Sequence, residues 1–455
     1  MGELIINVHH DSPAFAQRIE YVFAFIANHP ATGNQVDFRF NEATDTADRQ
    51  LYYQKAHKPF TSRPKAYFIP AQKVIFNPEQ ISTKKLIANA YISESSTLYS
   101  AELVRQPSQL FTVDRRFQFD WVEMIFFHIS RFEEYYCLPS LWDQWDMMKE
   151  ELQFLVRHGL DKIPVVDHLV YSVLLAMNLE PIRVRTKIRM SHDIDVLEKH
   201  TSLYKLGRAW AKLLMNKQGG KAQRSLFASF IKKKLGVKTD PYDSFEYLLG
   251  ESRQEEKIIY LMAGGLTRYD NLYQLTDPKV KDIIRLARTN NYVIGLHPSY
   301  ATHANEQQFR FEKDKLEHLV GHEVFHSRQH FLHFSFTSTP AILEQSGILF
   351  DSTLGYQNRY GFRCGTGFPY KLFFFEEERA FDFWENPMVF MDVGWLRECS
   401  YDSTMAQSSL DLFLQGNADL TQITMNFHNT IFDDTMYDEV TMRKVYGFLA
   451  ATAQL

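Results

Sequence analysis

The stretch Met190-Ser191-His192-Asp193-Ile194-Asp195 follows directly on Lys187-Ile188-Arg189. The preceding run is typical of a buried β-strand. Two carboxylates two residues apart at the end of a strand can divide the chemistry between them, because one can hold a metal ion while the other takes a proton. The stretch therefore predicts a metal-assisted catalytic site that other parts of the chain must complete.

From this stretch onward, strand-like runs alternate with helical runs. The strands are predicted at residues 187–190, 258–262, 292–296, 323–327, 348–350 and 423–427. The helices between them are predicted at residues 280–289, 307–319 and 340–345. Such alternation is typical of parallel strands joined by crossover helices. We therefore expect an α/β fold, with an incomplete or distorted (β/α) barrel over residues 183–455.

Residues 1–182 lack the acid and histidine clusters of the second part, and a chain of 455 residues favours two domains. Strands are predicted at residues 4–8, 36–40 and 66–69, and helices at residues 14–26, 119–135 and 164–178. Asp120 is the expected N-cap of a buried core helix that ends in an ion pair. We expect a smaller N-terminal α/β domain of unknown role, and a basic, helix-prone insertion in the barrel at about residues 199–250.

The bulk composition narrows the function classes. The net charge of −5 argues against a nucleic-acid-binding protein, which normally presents a basic face to phosphates. No run of about 18 uncharged apolar residues occurs, and the first residues lack the basic start of a secretion signal. Three scattered cysteines without a CxxC pair favour a reducing compartment. We expect a cytoplasmic protein with no membrane span and no nucleic-acid partner.

Polar clusters follow five of the predicted strands, at the carboxyl ends where parallel α/β folds place their chemistry. They contain Asp193 and Asp195 after the first strand, His297, Tyr300 and His303 after the third, Arg328 and His330 after the fourth, Asp351 and Tyr356 after the fifth, and His428 after the last. Each residue has a structural alternative, since a single histidine can be a hydrogen-bonded structural residue and Asp351 can begin an Asx-turn. Five clusters in register favour a shared site.

These clusters resemble the motifs of the polysaccharide deacetylase family, the NodB-type carbohydrate esterases. The stretch 191–195 is similar to the acid motif of that family, and His297-Pro298-Ser299-Tyr300 to the first half of its histidine motif. Arg328-Gln329-His330-Phe331 is similar to its arginine motif, and Phe427-His428 to its last motif. With residues 351–356 and 361–366, the chain is most similar to a bacterial subgroup that carries an uncharacterised N-terminal α/β domain.

The resemblance implies a hydrolase that removes an N-acetyl group from an amino sugar. The implied metal ligands, for Zn²⁺, are Asp195, His297 and His330, with His303 as the alternative to His330. The third ligand has two candidates because the family has its second metal-binding histidine four residues after the first, and this chain has Ala301 at that position. Asp193 would be the general base, with Arg328 orienting it, and His428 would donate a proton to the leaving amine.

The expected partner is an acetylated amino-sugar glycan of a surface polysaccharide, or its lipid-linked or nucleotide-linked precursor. Tyr300, Tyr356 and Trp395 are expected to pack on a sugar ring, whereas most other aromatic residues are expected in the core. Two other functions stay open. The histidine missing at position 301 also fits a catalytically degenerate protein that binds carbohydrate or scaffolds a polysaccharide-synthesis pathway, and the same residues could serve a C–N hydrolase of a small amide.

Overall fold

The computed structural model describes residues 4–42, 47–55, 65–71, 115–199, 240–250, 254, 256–265, 267–270, 273–433 and 437–452. Two parallel β-sheets of different size organise these residues. Most of the predicted insertion at 199–250 lies outside the described residues. Among the helices that the structure describes, none combines the length and the apolar character that crossing a bilayer requires.

The smaller sheet has four parallel strands in the order β2-β1-β3-β4. They are β1 (Leu4–His10), β2 (Val36–Phe40), β3 (Arg49–Gln54) and β4 (Ala66–Pro70). Helix α1 (Ala16–Asn28) follows β1 and buries Val22, Phe23 and Ile26. The helix packs this apolar face on the sheet, as its spacing predicts. The three strands predicted here are confirmed, and β3 was not predicted.

Four further helices connect the smaller sheet to the rest of the chain. They are α2 (Trp121–Ile129), α3 (Phe132–Tyr135), α4 (Phe154–Arg157) and α5 (Val165–Ala176). Asp120 caps α2 as predicted, because its side chain accepts a hydrogen bond from the backbone N of Glu123. The single helix predicted over residues 119–135 is interrupted at Arg131, which has a left-handed φ of 54°. The expected ion pair at its exit joins Arg131 and Glu134.

The larger sheet has eight strands in the order β12-β9-β8-β7-β6-β5-β14-β13, and each adjacent pair is parallel. The strands are β5 (Lys187–Ile194), β6 (Lys257–Leu261), β7 (Val293–Leu296), β8 (His326–Ser327), β9 (Phe350–Asp351), β12 (Trp384–Glu385), β13 (Met388–Met391) and β14 (Gln422–Asn426). A separate antiparallel ladder joins β10 (Phe373–Phe374) and β11 (Arg379–Ala380).

The two edges of the larger sheet are consecutive in the chain, since only Asn386 and Pro387 separate β12 from β13. The Cα atoms of Glu385 and Met388 are joined by three peptide steps of about 3.8 Å each, and these steps limit the distance between the two residues. The sheet must curl until its edges come close together. The expected α/β class, with a curled, barrel-like parallel sheet, is confirmed.

Helices follow most strands of this sheet and pack outside it. They are α6 (Phe245–Gly250), α7 (Pro278–Thr289), α8 (Glu306–Val320), α9 (Thr339–Gln345), α10 (Asp392–Glu398), α11 (Ser403–Gly416) and α12 (Glu439–Ala451). One continuous hydrophobic core includes residues of both sheets, among them Ile6 and Ile188. The carboxyl ends of the parallel strands therefore stand on a continuous buried core.

Candidate active site

Strand β5 presents alternate side chains to its two faces, as any strand does. The strand was predicted to end at Met190, but it continues to Ile194. Asp193 therefore lies within the strand, and Asp195 directly follows its end. His192 lies on the other face, where its Nδ1 is 3.0 Å from the carbonyl O of Phe427 and burial lowers its pKa to about 4. His192 is a fully buried core residue and does not line the cleft.

Arg328 fixes Asp193 from a fully buried position. Its Nη1 donates to Asp193 Oδ1 at 3.0 Å and to Ser191 Oγ at 2.9 Å. Its Nε and Nη2 donate to the carbonyl O and the Oγ of Ser352, both at 2.9 Å. The second oxygen of Asp193 accepts from Asn426 Nδ2 at 2.9 Å. Both carboxylate oxygens thus have a fixed partner.

Three predicted metal ligands converge beside this carboxylate. Asp195, His297 and His330 each offer one ligand atom, and these atoms lie within 4.8 Å of one another. His297 Nε2 is 3.2 Å from Asp195 Oδ1, while its Nδ1 is 2.5 Å from the carbonyl O of Arg328. Burial opposes a charge on His297, but the nearby carboxylates, Asp193 first, raise its pKa. The Nδ1 contact leaves Nε2 directed towards the other two ligands.

The donor set fits a divalent metal ion. Asp195 Oδ1 and His330 Nδ1 are buried and have no hydrogen-bond partner among the described residues. Burial opposes ionisation of Asp195, yet His297, His330 and His428 hold its pKa well below the usual range. Two imidazoles and one carboxylate are donors that Zn²⁺ accepts while keeping a position open for water. The structure therefore provides a group able to hold a metal ion.

Asp270, which the sequence did not single out, supports this group from behind. Its Oδ1 accepts from the backbone N of Tyr300 at 2.7 Å and lies 3.6 Å from His330 Nδ1. The separation from His330 is too long for a hydrogen bond. Gly265 allows Asp270 to come this close, because its φ is 123° and a Cβ would lie 2.4 Å from Asp270 Cβ.

His428 reaches the same place from the end of β14. Its Nε2 lies 3.7 Å from Asp195 Oδ2, and its Nδ1 lies 2.7 Å from Asp392 Oδ1. The backbone N of His428 also donates to Asp392 Oδ2 at 2.7 Å. Burial lowers the pKa of His428, but the carboxylates, Asp392 first, outweigh burial and raise it to about 10. A protonated imidazole suits a proton donor.

These groups meet at one cleft of about 330 Å³, whereas Arg328, Asp270 and Asp392 hold its residues from outside the lining. The predicted site residues that line it are Asp193, Asp195, His297, His330 and His428. A volume of this size is at the lower end of the range for small-ligand sites. The structure therefore brings together residues that are far apart in the sequence, since Asp193 and His428 are separated by 235 positions. Their assignment as metal ligands, base and acid stays a prediction.

Two predicted sugar contacts are wrong. Trp395 is fully buried, and its Nε1 donates to the carbonyl O of Ala406 at 3.0 Å. Tyr356 is only 2% exposed. Neither lines the cleft, so neither can pack on a sugar there. Tyr300 is half-buried and lies behind the wall, where its ring packs against Phe331, which does line the cleft.

The structure places His303 and Asp351 outside the group of candidate metal ligands. The ring of His303 is tilted by 36° against that of His333, with centroids 3.6 Å apart. Asp351 begins an Asx-turn, since its Oδ2 accepts from the backbone N of Thr353 at 3.1 Å. The turn presents Ser352 to the guanidinium of Arg328, and Asp351 itself does not line the cleft.

Comparisons with known proteins give little direct information on function. Residues 6–180 match the model of a family of unknown function, DUF7033. No curated protein matches the sequence. Among solved structures, a candidate polysaccharide deacetylase from Mycobacterium smegmatis is similar over 60% of this chain and 86% of its own, with 14% identity and a TM-score of 0.34. The division of the chain into domains at residue 182 stays a prediction.

Proposed function

We propose that this protein is a metal-dependent hydrolase that removes an N-acetyl group from an amino sugar. The sugar would belong to a surface polysaccharide or to its lipid-linked or nucleotide-linked precursor. The observation that supports the proposal is the meeting of three kinds of group in one cleft: three residues able to hold a metal ion, a carboxylate fixed by Arg328, and a histidine held by Asp392.

Asp195, His297 and His330 would hold the ion, and Zn²⁺ suits these donors. When bound, such an ion lowers the pKa of a water molecule and polarises a carbonyl oxygen. Asp193 would take the proton of the attacking water as the general base. Arg328 holds this base in place and keeps its charge balanced.

His428 would complete the reaction as the general acid. Asp392 holds its Nδ1, which leaves Nε2 to donate a proton to the amide nitrogen. The oxygen of water becomes bonded to the acyl carbon, the C–N bond breaks, and the nitrogen leaves as a neutral amine. The products are acetate and a sugar with a free amino group.

The metal content of the purified protein tests the ligand set. We expect about one equivalent of zinc in the wild type, and its loss in Asp195→Ala and in His330→Ala. His303→Ala is the matched control, since it removes a neighbouring histidine outside the group, and it should keep the metal. A wild-type protein that binds no metal after addition of zinc and dialysis would contradict the proposal and favour the degenerate carbohydrate-binding protein.

A substrate panel tests the reaction itself. Release of acetate from acetylated amino sugars, and not from simple acetamides, is the expected result for the wild type. The same candidate metal ligands and the same base, Asp193, could also serve the hydrolysis of a smaller amide. Hydrolysis of simple acetamides alone would therefore replace the sugar with a small amide as substrate and keep the metal-dependent chemistry.

A further inference from the structure

The cleft is not built by the barrel-like part alone. Gln144 and Trp145, from the N-terminal part of the chain, line it together with the candidate catalytic residues. Both belong to residues 6–180, which match the family of unknown function. A role for this region in the site would explain why the two parts share one chain and one core.

A tight turn places Trp145 at the cleft. Asp143 Oδ1 accepts from the backbone N of Trp145 at 2.7 Å and of Met147 at 3.2 Å. The backbone N of Asp143 donates to the carbonyl O of Met147 at 2.7 Å, and Asp146 takes a left-handed φ of 57° between them. These contacts hold the turn closed, so Trp145 stands on a fixed support.

Three other rings back the indole of Trp145. The centroids lie 5.1 Å away for Tyr269, 5.4 Å for Phe331 and 6.5 Å for Tyr300. The contacts are edge-on or tilted, which are the favoured geometries for aromatic pairs. Trp145 is only half-buried by them. A fixed indole with free surface in a polar cleft is suited to pack against the C–H face of a sugar ring.

The same segment also fixes polar residues of the wall. Glu150 Oε1 accepts from the backbone N of Gln357 at 2.6 Å and of Asn358 at 3.1 Å. Both of these residues line the cleft. Gln357 Nε2 in turn donates to the carbonyl O of Phe331. The segment from Asp143 to Glu150 thus carries one ring of the wall and anchors the loop that carries two of its amide side chains.

We infer that the N-terminal region is part of the substrate site and that Trp145 is the platform on which a sugar ring of the substrate packs. The inference rests on the proposed function and specifies its substrate as a saccharide, held through a ring in addition to its acetamido group. It assigns a role to a region whose family has no known function.

Binding of an N-acetylglucosamine tetrasaccharide tests the platform. The Asp193→Asn protein is used so that the glycan binds without turnover while the three metal ligands stay in place. In this background Trp145→Ala should weaken binding about tenfold, as expected for loss of one aromatic contact, and Trp145→Phe should recover part of the affinity. Trp142→Ala is the matched control, because Trp142 directly precedes the same segment, is 37% exposed and does not line the cleft.

The outcomes separate this inference from the proposed function. Equal affinity of the Trp145→Ala and Trp142→Ala proteins would overturn the platform, while acetate release by the wild type would still support the hydrolase. Loss of bound metal in Trp145→Ala would show that Trp145 only holds His330 in place, through its contact with Phe331. This result would also overturn the binding role. If the Asp193→Asn protein binds no glycan, the saccharide substrate and the platform are both wrong. A raised KM with unchanged kcat in the Trp145→Ala single variant would agree with the inference.

Discussion

At the scale of single residues, Arg328 connects the buried interior to the proposed base. Its four side-chain hydrogen bonds go to Asp193, Ser191 and Ser352. Its Cζ lies over the ring of Tyr260, 4.5 Å from the ring centroid. A planar guanidinium can make these contacts at once, whereas a lysine ammonium is a single point of charge. The position of the base therefore depends on the shape of this side chain as well as on its charge.

Arg328→Lys should lower kcat about hundredfold, because a displaced general base loses most of its contribution. The metal should stay bound, since His297 contacts the backbone carbonyl of residue 328, which the substitution keeps. Acetate release and metal content, measured on the same sample, check both statements. Arg285→Lys, at an exposed position, is the control. A kcat within threefold of the wild type would exclude Asp193 as the base that Arg328 positions.

The site residues that were predicted from sequence lie close to a second polar or charged residue in the chain, within a recognisable motif. His330 was favoured as the replacement for the histidine missing at Ala301 because it follows the motif arginine closely, and the structure places it beside the other candidate ligands. Asp392 and Trp145 carry no such signal, since a single acid or ring acquires its role only through tertiary contacts. Trp395 was misassigned for the same reason, because sequence cannot distinguish a buried ring from an exposed one.

At the scale of elements, periodicity found the long strands and helices but not where tertiary contacts change them. The helix expected over residues 119–135 breaks at Arg131, where no glycine or proline marks a stop. The break turns the guanidinium so that its Nη1 donates to the carbonyl O of His128 and of Arg363. The contact with Arg363 is 232 residues away in sequence, so no local pattern could have predicted it.

The short strands β12 and β13 were also beyond the reach of sequence patterns, because two to four residues show no period. Asn386 lies between them and contacts two inner strands of the curled sheet. Its backbone N donates to the carbonyl O of Asp351 at 2.7 Å, and its Oδ1 accepts from Arg189 at 2.7 Å. One contact reaches β9, the neighbour of β12, and the other reaches β5, which is two strands in from the β13 edge, so Asn386 contacts both halves of the sheet.

Glu385 and Asp351 face each other across β12 and β9, and both are fully buried. Burial, together with the Asp351 carboxyl, raises the pKa of Glu385 well above its usual range. The folded protein therefore keeps a proton that the unfolded chain releases above about pH 4.3. The stability that this proton provides is complete below that pH and is lost as the pH rises towards the folded pKa.

Glu385→Gln should remove this pH dependence, because the amide keeps a hydrogen-bond donor and does not titrate. Between about pH 5 and 7, the free energy of unfolding of the wild type should fall more steeply than that of the variant, by about 1.4 kcal/mol per pH unit. Urea unfolding at a series of pH values measures the two slopes. Asp382→Asn, whose side chain is 83% exposed, should follow the wild type. Parallel curves for Glu385→Gln would mean that the pair holds no proton at neutral pH.

At the scale of the whole molecule, the two sheets are joined by buried polar contacts as well as by a common apolar core. Glu134, in α3, accepts from Arg131 Nε at 2.9 Å and from Arg363 Nε at 3.1 Å. Burial alone would raise the pKa of Glu134, but the two arginines, Arg363 first, hold it at about 2. One carboxylate thus neutralises cations from both parts of the chain, next to the segment that carries Trp145.

Glu134→Gln should therefore destabilise the whole molecule rather than one part of it. The substitution leaves Arg131 and Arg363 buried without their main counter-ion, which typically costs about 3–5 kcal/mol. Because both sheets share one core, scanning calorimetry should show a single transition that moves to lower temperature as a unit. Asp282→Asn, which breaks an exposed ion pair, should change stability by less than about 0.5 kcal/mol. Two separate transitions, with only one of them shifted, would show instead that residues 1–182 unfold independently of the barrel.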